Sequence, residues 1–122
     1  MKYYFIVALA IVAIYSTSCY YDNEEELYPQ LNACNTDSMS YANNIVPILT
    51  DYCLSCHSAS ANQGGVNMEG YNQVITYVTD ERFLKSIQHD SGVSPMPKNA
   101  AKMDSCTIAK VAAWIDQGAL NN

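Results

Sequence analysis

Apolar side chains recur at helical spacing in four stretches of the chain, all of them after residue 40. The first runs from Tyr41 to Tyr52, where apolar residues stand three or four positions apart. Because proline fits only the first turn of a helix, Pro47 predicts a start near Asn43 or Asn44, either of which can cap the helix. We expect this helix to run directly into Cys53.

Three further helices are predicted towards the end of the chain. Two short ones cover residues 71–77 and 80–89, and Asp80 can cap the second, whose inward face carries Phe83, Leu84 and Ile87. The last helix is capped by Asp104 and ended by Gly118. Its apolar stripe has Trp114 beside it and consists of Ile108, Val111, Ala112 and Ile115.

The connections between these helices carry strong turn signals. Gly64 and Gly65 mark a loop, and Gly92, Pro95 and Pro97 prevent regular structure around Met96. No strand pair and no internal repeat is recognisable. The pattern therefore predicts an all-α domain with about four short helices.

The beginning of the chain differs in composition from the rest. Lys2 precedes an almost wholly apolar run from Tyr3 to Tyr15, which is too short to cross a bilayer and is typical of a secretory signal. The alternative is a membrane anchor that is retained. Small residues at 16–18 then precede Cys19 and resemble the lipobox of bacterial lipoproteins, although Ser16 stands where leucine is usual. The same triplet also fits ordinary signal cleavage, which would leave Cys19 free.

These observations divide the chain into three parts. Residues 1–18 form the signal peptide, residues 19–33 a lipidated cysteine with an acidic tether, and residues 34–122 the folded domain. The tether carries Asp22 and Glu24 to Glu26, and it resembles signals that send lipoproteins to the surface of some Gram-negative bacteria. A merely soluble spacer is the alternative. The chain has a formal net charge of −6 at pH 7, which makes a nucleic-acid partner unexpected.

The strongest chemical motif is Cys53-Leu54-Ser55-Cys56-His57, the attachment pattern for a c-type haem. The thiols of Cys53 and Cys56 can each reach one vinyl group of the porphyrin, and His57 is then placed to bind the iron. The alternatives are a zinc site or a redox dithiol. Zinc needs four tetrahedral ligands and the chain has no second CxxC, while a thioredoxin-like dithiol needs a βαβ pattern that the sequence lacks.

The sixth iron position has several candidate ligands. The candidates are Met39, Met68, Met96 and Met103, and for any single methionine the alternative is packing in the core. Met96 differs because two prolines flank it and restrict its backbone. Met96 also follows His57 by enough residues to reach the opposite face of the ring. We expect Met96 to be the ligand, with His89 as its rival. An open site is a third possibility, and His89 could instead hydrogen-bond a haem propionate or stand at a helix end.

The order of these features resembles the mono-haem cytochrome c domains of the His/Met type. The matching stretches are residues 45–49, Cys53 to His57, Pro95-Met96-Pro97 and residues 111–119, which together span most of residues 41–119. Only CxxCH is highly specific. The resemblance implies a small cytochrome c-like fold around one covalent haem c, with first and last helices that cross. Side chains expected to pack on the porphyrin are Ile45, Leu49, Phe83, Leu84, Trp114 and Ile115.

Cys34 and Cys106 depart from the family pattern. Because the first and last helices meet in that fold, the resemblance implies a disulfide between these two cysteines, the alternative being two separate buried thiols. The chain has five cysteines, so haem attachment and this disulfide would leave Cys19 alone, which lipidation explains.

A haem with both axial positions filled predicts an electron carrier rather than an enzyme. We expect redox proteins as donor and acceptor, and a membrane attachment through the lipid in the cell envelope of a Gram-negative bacterium. Lys98 and Lys102 could attract an acidic partner. The alternatives are a ligand sensor or peroxidase-like haem with an open sixth position, and an accessory subunit that wires a larger redox complex.

Overall fold

The structure is a computed structural model, and it describes residues 34–122. This part of the chain is helical and contains no strand, which confirms the all-α class. The helices are α1 (Val46–Tyr52), α2 (Leu54–His57), α3 (Tyr71–Thr79), α4 (Arg82–Gln88) and α5 (Ser105–Asp116). A wide turn of π-helix at Tyr41–Ile45 leads into α1, and a short 3₁₀ turn covers Gln63–Gly65. Within residues 34–122, no helix is long and apolar enough to cross a membrane.

The first helical segment begins at Tyr41 and is capped by Ser40, so the expected start and cap at Asn43 or Asn44 are wrong. The Ser40 hydroxyl accepts the N–H of Asn43 at 3.3 Å, while the side-chain oxygen of Asn44 accepts the N–H of Ser40 at 2.8 Å. This reciprocal pair satisfies main-chain donors that a helix start leaves free. Pro47 lies in the first turn of α1, as expected.

The start of α4 also differs in detail from the expectation. Glu81, in a left-handed conformation with φ of 62°, precedes the helix, and Asp80 lies one position further out. Asp80 still supplies a cap, because its Oδ1 accepts the N–H of Arg82 at 3.1 Å. Phe83 and Ile87 are buried and Leu84 is half-buried, which confirms the predicted inward face.

Both ends of α5 are as predicted. The Asp104 side chain accepts the N–H of Thr107 at 2.9 Å, and Gly118 adopts φ of 97° just beyond the helix. The N–H groups of Gly118 and Ala119 then return to the carbonyls of Ile115 and Trp114 at 2.9 and 2.8 Å. This pair of bonds is a Schellman motif, which needs the left-handed residue that glycine provides.

The core lies between the π-helical turn, α1, α3, α4 and α5. Trp114 of α5 is fully buried, and its ring centroid lies 5.7 Å from that of Tyr41. Tyr41 in turn meets the edge of Tyr71 with centroids 5.2 Å apart. The Tyr71 hydroxyl donates to the carbonyl of Ala119 at 2.9 Å, so the aromatic cluster is also tied to the chain after α5.

The chain before the first helix is held against α5 at two places. Cys34 and Cys106 stand at disulfide distance, with 2.13 Å between the sulfur atoms and 5.4 Å between the Cα atoms. Gln117 accepts the N–H of Met39 at 2.8 Å and donates to the carbonyl of Thr36 at 2.8 Å. The segment from Thr36 to Met39 is therefore fixed through main-chain bonds as well as through the cysteines.

Candidate functional site

The CxxCH motif occupies one turn of helical backbone directly after α1. Cys53 donates its N–H to Leu49 at 2.8 Å, and its carbonyl accepts the N–H groups of Cys56 at 3.1 Å and His57 at 2.9 Å. Residues three and four positions apart lie on the same face of a helix. The backbone thus presents Cys53, Cys56 and His57 on one face, which covalent attachment to a haem requires.

The two thiols of the motif are not bonded to each other or to another cysteine of residues 34–122. Cys53 is buried and Cys56 half-buried, with the Ser55 hydroxyl 3.8 Å from the Cys56 sulfur. Burial raises the pKa of the Cys53 thiol to about 11, so this thiol stays protonated at neutral pH. A redox dithiol needs an accessible thiolate of lowered pKa, and this environment does the opposite.

The described part of the chain also offers little to a zinc ion. No group of three or more histidine, cysteine, aspartate or glutamate side chains within residues 34–122 is arranged to hold a metal. A structural zinc site takes four such ligands. The described residues therefore do not provide the ligand set of a structural zinc site.

His57 is half-buried and leaves its ring nitrogens without a hydrogen bond to the described residues. Its Nδ1 atom is buried and has no hydrogen-bond partner. The main chain of the residue is nevertheless fixed, because its carbonyl accepts the N–H of Met68 at 2.7 Å. A buried histidine that serves packing alone normally has its ring nitrogens satisfied. The unpaired ring fits a residue whose partner is a bound group.

Four methionines lie in the described part of the chain, and Met96 differs from the other three. Met39, Met68 and Met103 belong to the hydrophobic core, each with 7% of its surface exposed. Met96 is half-buried in the loop between α4 and α5, outside that core. Core packing therefore accounts for three of the thioethers but not for that of Met96.

The Met96 loop is tied to the end of α4 by its main chain. The Met96 N–H donates to the carbonyl of Ser86 at 3.0 Å, and the Met96 carbonyl lies 3.0 Å from Nε2 of His89. The peptide bond between Met96 and Pro97 is cis. The contact with His89 was not predicted from the sequence, and the only local signal for it is a histidine at the end of a helix.

The side chains expected to pack on a porphyrin divide into two groups. Ile45, Leu49 and Trp114 have at most 1% of their surface exposed, so protein atoms alone enclose them and they are core residues. Phe83 is also nearly enclosed, at 5%. Leu84 and Ile115 remain half-buried and retain apolar surface that a bound group could cover.

Two surface hollows lie away from the motif. One of about 280 Å³ lies where Met39, Gln117 and Asn122 meet, and the other, of about 470 Å³, lies beside the start of α5 and Lys102. Neither is lined by Cys53, Cys56, His57 or Met96. Neither hollow therefore belongs to the candidate site.

Charged groups near the Met96 loop are exposed. Lys98 donates to the Ser94 hydroxyl at 2.9 Å, and Lys102 makes no ion pair within residues 34–122.

The ion pairs of the described residues lie at the start of α4, between Asp80 and Arg82 and between Glu81 and Lys85. The side-chain hydrogen bond from Arg82 lowers the pKa of Asp80.

Comparisons of the chain with protein families, with characterised proteins and with solved structures give no match in any of the three. The site is therefore interpreted from its own residues. Residues 34–122 contain two thiols of the motif that are not in a disulfide, a His57 ring whose Nδ1 has no hydrogen-bond partner and a thioether outside the core. Cys19, the predicted lipidation site, lies outside the described residues.

Proposed function

We propose that the protein is a single-electron carrier with one covalently attached haem c. In this proposal Cys53 and Cys56 hold the haem by thioether bonds, while His57 and Met96 bind the iron from opposite faces. The observation that carries the proposal is the presence of CxxCH on one helical turn with both thiols free, in a domain whose other two cysteines stand together at disulfide distance.

Each of these residues has a distinct task. The bonds from the Cys53 carbonyl fix the turn that presents both thiols, and the unpaired ring of His57 supplies the proximal imidazole. Met96 supplies a soft thioether that favours ferrous iron and raises the reduction potential relative to two histidines. When bound, the haem supplies one-electron chemistry, and occupied axial positions exclude substrate from the iron.

The proposal includes attachment to the cell envelope of a Gram-negative bacterium. It rests on the signal-like residues 1–18, on Cys19 after small residues, and on the acidic residues that follow. The partners would be a redox donor and a redox acceptor, and exposed Lys98 and Lys102 favour an acidic surface on one of them. The protein acts as a carrier in this proposal, and no enzymatic step is assigned to it.

Covalent haem attachment tests the proposal directly. The full chain is produced in a host that exports proteins and attaches haem c, and haem is detected on the polypeptide after denaturing electrophoresis. We expect haem on the wild type and none on the variant with Cys53→Ser and Cys56→Ser. The matched control carries Cys34→Ser and Cys106→Ser, removes the same number of cysteines and should retain the haem. A wild type without covalent haem would overturn the proposal.

Spectra of the reduced protein separate the carrier from its rivals. A six-coordinate iron that carbon monoxide hardly changes supports electron transfer, whereas rapid binding of carbon monoxide would indicate a sensor or peroxidase-like site with an open position. Extraction in mild detergent tests the remaining rival, since an accessory subunit would be recovered in a stoichiometric complex with a larger redox enzyme.

A further inference from the structure

His89 contacts the Met96 loop through its ring. Its Nε2 lies 3.0 Å from the main-chain carbonyl oxygen of Met96, seven positions along the chain. His89 follows the last residue of α4 and adopts a left-handed conformation with φ of 58°. This conformation ends the helix at His89, the residue whose side chain reaches the loop.

A second hydrogen bond holds Met96 through its main-chain N–H. The N–H of Met96 donates to the carbonyl of Ser86 at 3.0 Å, and this carbonyl also accepts the N–H of His89 at 3.2 Å. Both main-chain polar groups of Met96 are therefore bound to the last turn of α4. That helix is itself anchored, because Phe83 and Ile87 are 5% and 2% exposed.

We infer that His89 is a positioning residue that holds Met96 at the iron through the main-chain carbonyl of Met96. This inference rests on the proposed function, in which Met96 is the distal ligand. The loop from residue 90 to residue 104 has no helix of its own, so main-chain bonds decide where the thioether stands.

The hydrogen bond also determines which ring nitrogen of His89 carries the proton. A carbonyl oxygen only accepts, so Nε2 must carry the proton and donate it. The lone pair of Nε2 is then unavailable to iron while the bond lasts. In this arrangement Nε2 supports Met96, and only Nδ1 of His89 could compete with Met96 as an iron ligand.

Two substitutions distinguish the hydrogen bond donated by His89 from the other effects of losing its imidazole ring. Asn tolerates the left-handed conformation well but is one bond too short to place its amide where Nε2 stands, so His89→Asn loses the bond. Gln places its amide nitrogen the same number of bonds from Cα as Nε2, so His89→Gln can restore it. Both variants lack an imidazole, so a difference between them reports the hydrogen bond rather than loss of the ring.

The test is a carbon monoxide titration of the reduced holoprotein, read from its absorption spectrum. The loss of one hydrogen bond should raise the apparent affinity for carbon monoxide about five- to tenfold in His89→Asn, because the thioether is displaced more easily. His89→Gln should stay near the wild type. Wild-type affinity in His89→Asn, or an equal rise in both variants, would overturn the inference.

Met96→Ala distinguishes failure of the inference from failure of the proposed function. If Met96→Ala binds carbon monoxide no better than the wild type, Met96 is not the distal ligand and the proposed function fails in this respect. Amide hydrogen exchange of Met96, followed by NMR, reports the loop independently of the iron. It should be faster in His89→Asn than in His89→Gln, and equal exchange in the two variants would overturn the positioning role.

Discussion

The side-chain oxygen of Asn122 accepts the N–H of Tyr41 at 3.0 Å, although 81 positions separate the two residues. The main-chain oxygen of Asn122 accepts the N–H of Ala42 at 2.9 Å and the hydroxyl of Ser40 at 2.8 Å. Free N–H groups at a helix start normally need a cap or water. Asn122, which is distant in sequence, thus supplies the acceptors for the free N–H groups at the start of this helical segment.

Asn122→Ala should lower the free energy of unfolding by about 1 kcal/mol, because the N–H of Tyr41 loses its acceptor. Chemical denaturation at equilibrium measures the change. Asn121→Ala is the matched control, since Asn121 is exposed and its side chain makes no hydrogen bond within residues 34–122. Equal stability of the two variants would contradict the role assigned to Asn122.

The crosslink between Cys34 and Cys106 should contribute up to about 4 kcal/mol of stability, because it closes a loop with a sequence separation of 72. The variant with Cys34→Ser and Cys106→Ser should unfold at a correspondingly lower denaturant concentration, and a reductant should have no further effect on it. Alkylation of the unfolded, non-reduced wild type should label neither cysteine. Labelling of both would show that the crosslink does not form.

Replacement of Met96 should change the coordination and the reduction potential of the iron without unfolding the domain. In Met96→Ala we expect binding of carbon monoxide and a lower reduction potential, because the thioether that favours ferrous iron is lost. Redox titration with optical detection measures the potential. Met103→Leu is the control, since Met103 is a core residue with 7% exposure and this volume-conserving change should cost less than about 1.5 kcal/mol. If Met96→Ala keeps the wild-type potential, another residue binds the iron.

Cys19 should carry lipid in the mature protein, because it follows small residues and a short apolar run. Cys19→Ser should move the protein from the membrane fraction to the soluble fraction, provided that the signal is still cleaved. Mass spectrometry of the wild-type N-terminal peptide gives the direct measurement. An unmodified Cys19 on the mature protein would exclude the lipoprotein.

The cap of α5 should make stability depend on pH. Hydrogen bonds from the Thr107 hydroxyl and then from its N–H lower the pKa of Asp104. The unfolded chain has the ordinary value of about 3.9, so the contribution of the carboxylate is complete above about pH 4 and is lost as pH falls through the lowered pKa.

Asp104→Asn is the matched variant for this measurement, because asparagine also caps helices but carries no charge. Unfolding of both proteins should be followed between about pH 6 and about pH 2. The stability advantage of the wild type should shrink as the solution becomes more acidic, and the other carboxylates cancel in the difference. An advantage that stays constant over this range would contradict the assignment.

Helix ends whose partners are close in sequence were predictable. Asp104 bonds to Thr107 and Gly118 returns to Ile115, so both signals lie within a few residues of the end that they define. The burial of Phe83 and Ile87 follows from spacing alone in the same way. These features are local, and the sequence contains all of their parts.

Contacts between distant residues were not predictable by the same reasoning. Three polar residues near the first helix can all serve as caps, and the choice of Ser40 depends on reciprocal bonds and on Asn122. The acceptor in the bond between His89 and Met96 is a main-chain oxygen. Every residue has such an oxygen, so the residue types give no sign of this contact. Within the site, the sequence alone therefore does not reveal the contacts that hold the Met96 loop.

The pairing of Cys34 with Cys106 also bears on what a protease would release. Residues 59–65 are all exposed, and cleavage there would separate the CxxCH motif from the segment that carries Met96. Cys34 stays with the first fragment and Cys106 with the second, so the disulfide would keep the nicked protein in one piece. A cut in this loop would therefore yield two chains joined by the disulfide, with one candidate iron ligand on each chain. The two chains would separate only after the disulfide is reduced.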